Sequence, residues 1–404
     1  MWEKDININE VKEIRVRTTV YFGVGAIKKI EDIAKDLKAK GLDKLIIVTG
    51  KGAYKKTGAW DHVQAALKNN AITYVHYDGV TPNPNTHQVN EAAKMAKEFG
   101  AKAMLAIGGG SAIDAGKSVA ILMENPGKTA EELYEFKFAP EKAAPIIAIN
   151  LTHGTGSEAN RFAVVTILEK NFKPAIAYDC IYPMYSIDDP ALMANLSENQ
   201  TRYVSIDAVN HVVEASTTKA ASPFSIDLAL SVVKLVAHYL PLALKDPGNL
   251  EARYFLAYAA LIAGVSFDNG LLHYTHALEH PLSAVNPNLT HGLGLAMLLP
   301  AVVKYIYAEK AHTLAAILEP IAPGLSGCSC QADEAAKAVE KWLFSVGATA
   351  KLKDEGFHEE DVDKMTELAF TTPSLGLLLS MAPNEGTKER VRAIYKESLL
   401  PYNK

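Results

Sequence analysis

Apolar and polar positions along this chain keep one rhythm up to about residue 190 and another after it. In the first part, short alternating or continuously apolar runs are separated by stretches of period 3.6, the respective marks of strands and amphipathic helices. IRVRTTVYFG (14–23) predicts a strand with one buried face, and KKIEDIAKDLKAKG predicts a helix that stops at Gly41. KLIIVT (44–49), ITYVHY (72–77), AKAMLAI and PIIAIN (145–150) predict further strands, with AWDHVQAALKNN and HQVNEAAKMAKEFG as helices among them. Strands alternating with helices of this length imply βαβ crossovers and a mainly parallel sheet covered on both faces. After Asp188-Asp189-Pro190 the pattern becomes long, helical and rich in Ala and Leu, as in IDLALSVVKLVAHYLPLAL, EARYFLAYAALIAGVSFDNG and DEAAKAVEKWLFSVGA. The expected organisation is an α/β domain over 1–190 and an all-α domain over 191–404, with no internal repeat.

Composition narrows this only a little. At 404 residues the chain exceeds one ordinary core, which agrees with two domains. A hydrophobic fraction of 49% beside a charged fraction of 22% describes a soluble globular protein. The net charge of −5 supplies no electrostatic reason to bind nucleic acid or an anionic membrane. No apolar run in the sequence reads as a membrane span of roughly 20 residues, and the start MWEKDININEVKEIRVR is too charged for a secretory signal. The three cysteines, Cys180, Cys328 and Cys330, lack the second CxC or CxxC of a thiolate zinc site. They read as reduced bystander thiols, and the expected location is cytoplasmic.

Chemistry enters at the ends of the predicted strands. Gly108-Gly109-Gly110-Ser111 lies between an apolar strand and a helix. Glycines there let backbone N–H groups approach an anion, and the helix aims its positive end at the same point. The same residues also describe a tight βα turn with no ligand, since GxGxxG is absent. Two further loops favour a nucleotide: TPNPN (81–85), with Asn83 at its centre, and LTHGTGSE (151–158), with Thr152, Thr155 and Ser157. Such loops at the C-terminal ends of parallel strands are where α/β sheets bind nucleotides.

The helical part carries Asp207 and His211 in SIDAVNHVVEA, His276 and His280 in THALEHPL, and His291 opening HGLGLAMLLP. A spacing of i, i+4 stacks two side chains on one helical face, so each pair can converge on one point. A carboxylate with two or three imidazoles suits Fe(II) or Zn(II) better than Mg(II) or Ca(II). The remaining histidines, His62, His76, His87, His238, His312 and His358, have no partner at ligand spacing. His273 and Tyr274 either line the same face or pack; His153 reads as part of its loop's structure.

GGGSAIDAGK, THGTGSE, SIDAVNHVVEA and HALEHPL…HGLGLAMLLP, in this order, resemble the signature segments of iron-containing (group III) alcohol dehydrogenases. The resemblance runs from FGVGAI, near residue 22, to about residue 300 and less distinctly beyond. It implies a dinucleotide-binding domain, a helical domain and a divalent metal in the interdomain cleft. By resemblance the metal ligands are Asp207, His211, His276 and His291, which leaves His280 for proton relay or substrate contact. The D-x-x-x-H segment commonly reads DALTH in the family; Asp207-Ala208-Val209-Asn210-His211 keeps both ligands. Lys173, in NFKPAIAY, is similar to the family lysine near the cofactor. The expected cofactor-binding set is Gly50, Lys51, Asn83, Gly108, Gly109, Gly110, Ser111, Asp114, Thr152, Thr155 and Lys173. Members that prefer NAD often carry Asp after the second core strand; here Thr49-Gly50-Lys51-Gly52 stands in that place. NADP is therefore expected over NAD, although Lys51 is equally well described as a solvated loop lysine.

The implied activity is hydride transfer between NADP(H) and a small alcohol or aldehyde, with Fe2+ or alternatively Zn2+ as a Lewis acid. A glycerol or polyol dehydrogenase, and a lyase of the dehydroquinate synthase type, are the enzyme alternatives. A nucleotide- and metal-binding sensor is the non-enzymatic one. The first strand, IRVRTTVYFG, is suited to extending a sheet across a two-fold axis, so a homodimer is expected.

Overall fold

The structure is a computed structural model and describes residues 2–5 and 12–402, so the charged start of the chain lies partly outside it. A six-stranded sheet runs in the order β1-β8-β5-β4-β2-β3. Its strands are β1 (Thr19–Phe22), β2 (Lys44–Gly50), β3 (Thr73–Val80), β4 (Ala103–Gly108), β5 (Ile146–Asn150) and β8 (Tyr185–Asp188). Every pairing in this sheet is parallel. Alternate residues of each strand enter opposite cores: Ile46, Val48, Met104 and Ala106 on one face, Leu45, Ile47, Leu105 and Ile107 on the other. That is why the central strands read as continuous apolar runs.

Three strands went unread in the sequence. β8 is four residues long, and β6 (Phe162–Val164) and β7 (Ala175–Ala177) form a separate antiparallel pair. Runs so short carry no measurable period. The first strand is shorter than the predicted 14–23 and sits at the sheet edge. Before it, both backbone groups of Arg15 are taken by the Asn269 side chain, at 2.6 and 2.9 Å, instead of by a neighbouring strand.

From Glu198 onward the described residues are helical. The long helices Glu198–Ala215, Pro223–Lys245, Leu250–Gly270, Tyr274–Val285 and His291–Ile306 share one apolar core. Two expectations need correction. Pro223–Lys245, Leu250–Gly270 and His291–Glu309 are long and apolar enough, by length and composition, to cross a membrane; here that apolarity serves packing between helices. Cys328 and Cys330 are disulfide-bonded and not two separate reduced thiols, because a tight turn brings their Cα atoms to 5.2 Å. Cys180 stays free and half-buried.

Candidate metal centre and nucleotide cleft

The C-terminal ends of β2, β4 and β5 lie side by side, with Gly108 in register with Asn150. The helix Gly110–Glu124 starts there with Gly109 as N-cap. The glycines are demanded by neighbours. A Cβ on Gly109 would come within 2.8 Å of Thr152, and one on Gly110 within 2.5 Å of Thr155. Thr152 and Thr155, both expected at the nucleotide, therefore press against the glycine turn. Gly110, Ser111, Asp114, Thr155, Asn83 and Lys173 line a cleft of about 420 Å³, together with His211, His276, His280 and His291. Gly108, Gly109 and Thr152 are not among the lining residues, nor are Gly50, the last residue of β2, and exposed Lys51 just after it.

The four proposed ligands converge. His211 Nε2, His276 Nε2 and His291 Nε2 stand 3.4, 3.6 and 3.9 Å from one oxygen, Asp207 Oδ1. Asp207 and His211 share a face of the helix Glu198–Ala215, His276 sits on Tyr274–Val285, and His291 is the first residue of its helix. Asp207 Oδ1 and His276 Nε2 are buried without a hydrogen-bond partner. Buried polar atoms are rarely left so, and a carboxylate with three imidazole nitrogens fits a borderline divalent cation. Burial disfavours ionised Asp207, but the facing His211, His276 and His291 outweigh it and hold its pKa down to about 2. Burial likewise lowers His211, to about 4.

Two carboxylates that the sequence reading missed stand behind these histidines. Glu214 Oε2 bonds His276 Nδ1, while its Oε1 accepts N–H groups of Thr275 at 2.6 Å and His273 at 3.2 Å. Glu279 Oε2 bonds His291 Nδ1 and also faces Lys173 Nζ, with 3.5 Å between them. A carboxylate on Nδ1 fixes the tautomer and turns Nε2 toward the ion site. The signal was present: Glu214 lies seven residues after Asp207 and Glu279 three after His276, both on the ligand faces. His280 lines the cleft with Nδ1 buried and unpartnered. Burial pushes its pKa well down, helped by Lys173, so the ring is neutral.

Lys173 is buried, not a strand-edge side chain in solvent: Nζ donates to Asn83 Oδ1 at 2.9 Å and Ser283 Oγ at 2.7 Å. Asn83 in turn donates to Pro287 O at 2.9 Å, which ties the nucleotide-side loop to the helical part. His273 and Tyr274 prove to be packing groups. His273 caps its helix through Tyr274 N–H at 2.6 Å, and the Tyr274 hydroxyl donates to Asn384 Oδ1 at 2.9 Å.

His153 is structural, as its loop context implied. It lies between Arg253 Nη1 at 3.0 Å and Ser205 Oγ at 3.3 Å, and burial, reinforced by Arg253, lowers its pKa to about 3. The unfolded imidazole protonates near 6.5, so the stabilisation is complete above that pH and is lost as pH falls toward about 3. Between pH 7 and pH 4 this amounts to roughly 3 kcal/mol. His153→Gln should therefore lose less stability over that interval than the parent in urea titrations; parallel losses would show that His153 does not control the slope.

A nucleotide-type α/β layer facing helices that carry a buried carboxylate–imidazole cluster defines a metal-dependent dinucleotide oxidoreductase. The chain belongs to the iron-containing alcohol dehydrogenase family and is an alcohol dehydrogenase. The model "Iron-containing alcohol dehydrogenase" matches residues 17–190, and "Fe-containing alcohol dehydrogenase family, C-terminal" matches 201–399. A long-chain primary alcohol dehydrogenase of Thermoanaerobacter ethanolicus is 59% identical over 398 residues, spanning 98% of this chain and 100% of that one. 1,3-Propanediol dehydrogenase of Klebsiella pneumoniae is 32% identical, spanning 94% of this chain and 96% of its own. Among solved structures, an NADH-dependent butanol dehydrogenase of Thermotoga maritima superposes with a TM-score of 0.89 at 30% identity, covering 97% of this chain and 99% of that one.

Proposed function

We propose that this enzyme is an NADP-linked dehydrogenase of unbranched primary alcohols, working equally as an aldehyde reductase, with Asp207, His211, His276 and His291 holding Fe2+. The observation that carries this is the convergence of three imidazole nitrogens on one unpartnered carboxylate oxygen, Asp207 Oδ1, beside a glycine-turn wall. Zn2+ suits the same donors and is the alternative. When bound, the ion supplies Lewis-acid polarisation of the substrate oxygen and the nicotinamide supplies the hydride carrier.

The chain's own residues do the rest. Glu214 and Glu279 hold His276 and His291 in one tautomer with Nε2 inward. His280 is the neutral group at the cleft with a free nitrogen to take or return a proton. Lys173, through Asn83 and Ser283, holds the two walls together at fixed spacing. Backbone N–H groups at the start of Gly110–Glu124, with Ser111 and Thr155, would hold the pyrophosphate of the dinucleotide. One structural relative is NADH-dependent by name, so the NADP reading rests on residues 49–52, which offer no carboxylate and one exposed lysine, Lys51. The preference for long alcohols rests on the 59% identical relative and on the apolar side of the cleft. Exposed Ile14 and Val16, next to the edge strand, support a homodimer.

The test is anaerobic purification with metal analysis and sizing, followed by NAD(P)H absorbance with primary alcohols and aldehydes. Near-stoichiometric iron, a dimeric mass and faster turnover with NADPH than NADH are expected. Lys51→Ala should raise KM for NADPH several-fold and leave that for NADH nearly unchanged. Equal effects on both cofactors would remove the NADP assignment, and absence of metal-dependent turnover would remove the reading as a whole.

A further inference from the structure

The segment Leu375–Met381, LGLLLSM, has apolar residues on both of its faces. Leu375 and Leu379, one helical turn apart, are buried. Leu377, Leu378 and Met381 point the other way and line the cleft that holds His276 and His280. Leu377 is 60% exposed although it borders this cleft, whereas His276 at the cleft floor is 2% exposed. An apolar strip thus leads from the floor to the mouth.

A bond across the chain ties this helix to the α/β part. Ser374, at φ 72°, precedes the helix, and its Oγ accepts the Ala175 N–H at 2.9 Å across the cleft, from a strand 199 residues away. Leu271, another lining residue, sits at φ 63° and ψ −176°, a backbone region that side-chain-bearing residues rarely adopt. Ser111, Asp114 and Thr155, from the helix that starts at the glycine turn and the loop against it, line the same cleft.

We propose that the helix Leu375–Met381 binds the alkyl tail of the substrate and sets the chain length this enzyme prefers, with Leu377 meeting the distal carbons. The inference rests on the reading of the cleft as a primary-alcohol site. The occupant is an unbranched aliphatic chain: the strip is continuous with the floor where the carbinol end belongs, and it carries no charged side chain. Each methylene laid on it leaves water, worth about fourfold in affinity.

The experiment measures kcat/KM of the metal-loaded enzyme for the series ethanol to 1-decanol, together with calorimetric binding of 1-decanol. In the parent, kcat/KM should climb about fourfold per methylene and level off once the chain has passed Leu377. Leu377→Ser should lower the 1-decanol to ethanol ratio, and the affinity for 1-decanol, by about fourfold or more. Leu378→Phe, which narrows the strip, should move the plateau to shorter alcohols. Variants that scale every alcohol equally, or bind 1-decanol as the parent does, overturn the proposal. Binding needs no turnover: a parent that binds 1-decanol in a Leu377-dependent manner yet oxidises no alcohol keeps the tail site and sinks the functional reading alone. A Leu377→Ser variant that changes only the oligomeric mass would make the patch a subunit contact and overturn the tail site.

Discussion

His276→Ala is expected to release the divalent ion and to lower turnover by roughly three orders of magnitude or more, since Lewis-acid stabilisation of this kind is worth several kcal/mol. His276 is the most constrained member of the cluster. Its Nε2 has no partner except the site, 3.6 Å from Asp207 Oδ1, and its Nδ1 is held by Glu214. Burial opposes its charging, but Glu214 and Asp207 override it and raise its pKa to about 9. His276 would bind a divalent ion through Nε2 only once that proton is lost, so metal retention should strengthen as pH rises. Glu214→Gln removes the charge and leaves one amide oxygen to do the accepting that two carboxylate oxygens now divide between His276 Nδ1 and the backbone N–H groups, and a 10–100-fold loss of metal affinity is expected from it. Metal analysis after dialysis separates the two. Stoichiometric metal in His276→Ala would strike His276 from the ligand set, and equal metal loss in both variants would mean that the pocket had collapsed.

The sheet was legible because its central strands are buried on both faces, so KLIIVT and PIIAIN cannot belong to anything solvated. β8 was not, because Tyr185–Asp188 owes its place to partners on both sides, β1 and β5, more than to its own four residues. Among site residues, Asp207 with His211 and His276 with His280 were visible as pairs at helical spacing. Glu214 and Glu279 stood on the same faces and were passed over, because a glutamate on a helix ordinarily marks the solvated side. Both are fully buried here. The strip at Leu377 could not be foreseen from one dimension, since its link to Ala175 joins positions far apart in the chain. Pro223–Lys245 is long and apolar enough by composition for a membrane span, a feature the sequence reading passed over, and it packs one face against the helical core.

Lys117 gives the second large effect. It is fully buried within GGGSAIDAGK, where a helical lysine would ordinarily read as exposed. Its Nζ donates to Ser157 Oγ at 3.0 Å, Asn160 O at 2.9 Å and Phe162 O at 2.8 Å. One turn earlier on the same helix, Asp114 accepts the Ser157 hydroxyl at 2.5 Å and the Val164 N–H at 2.9 Å. Two side chains of the helix that begins at the glycine turn therefore clamp residues 157–164, four of which line the cleft beyond Ser157: Asn160, Arg161, Phe162 and Val164. Burial lowers the Lys117 pKa to about 8 against the pull of Asp114, Glu158 and Asp268. Lys117→Met keeps the length of the side chain and removes the donor. The acceptors and the nearby carboxyls are then left buried without it, which should cost about 3–5 kcal/mol in urea titrations. The folded fraction should show a raised KM for the nicotinamide cofactor with a smaller change in kcat, because the wall moves relative to the phosphate turn. Ser157→Ala combined with Lys117→Met should cost less than the sum of the single changes, by about 0.5–3 kcal/mol, if the two act as one clamp. Additive losses, with cofactor KM unchanged, would make Lys117 a local packing residue with no hold on the cleft.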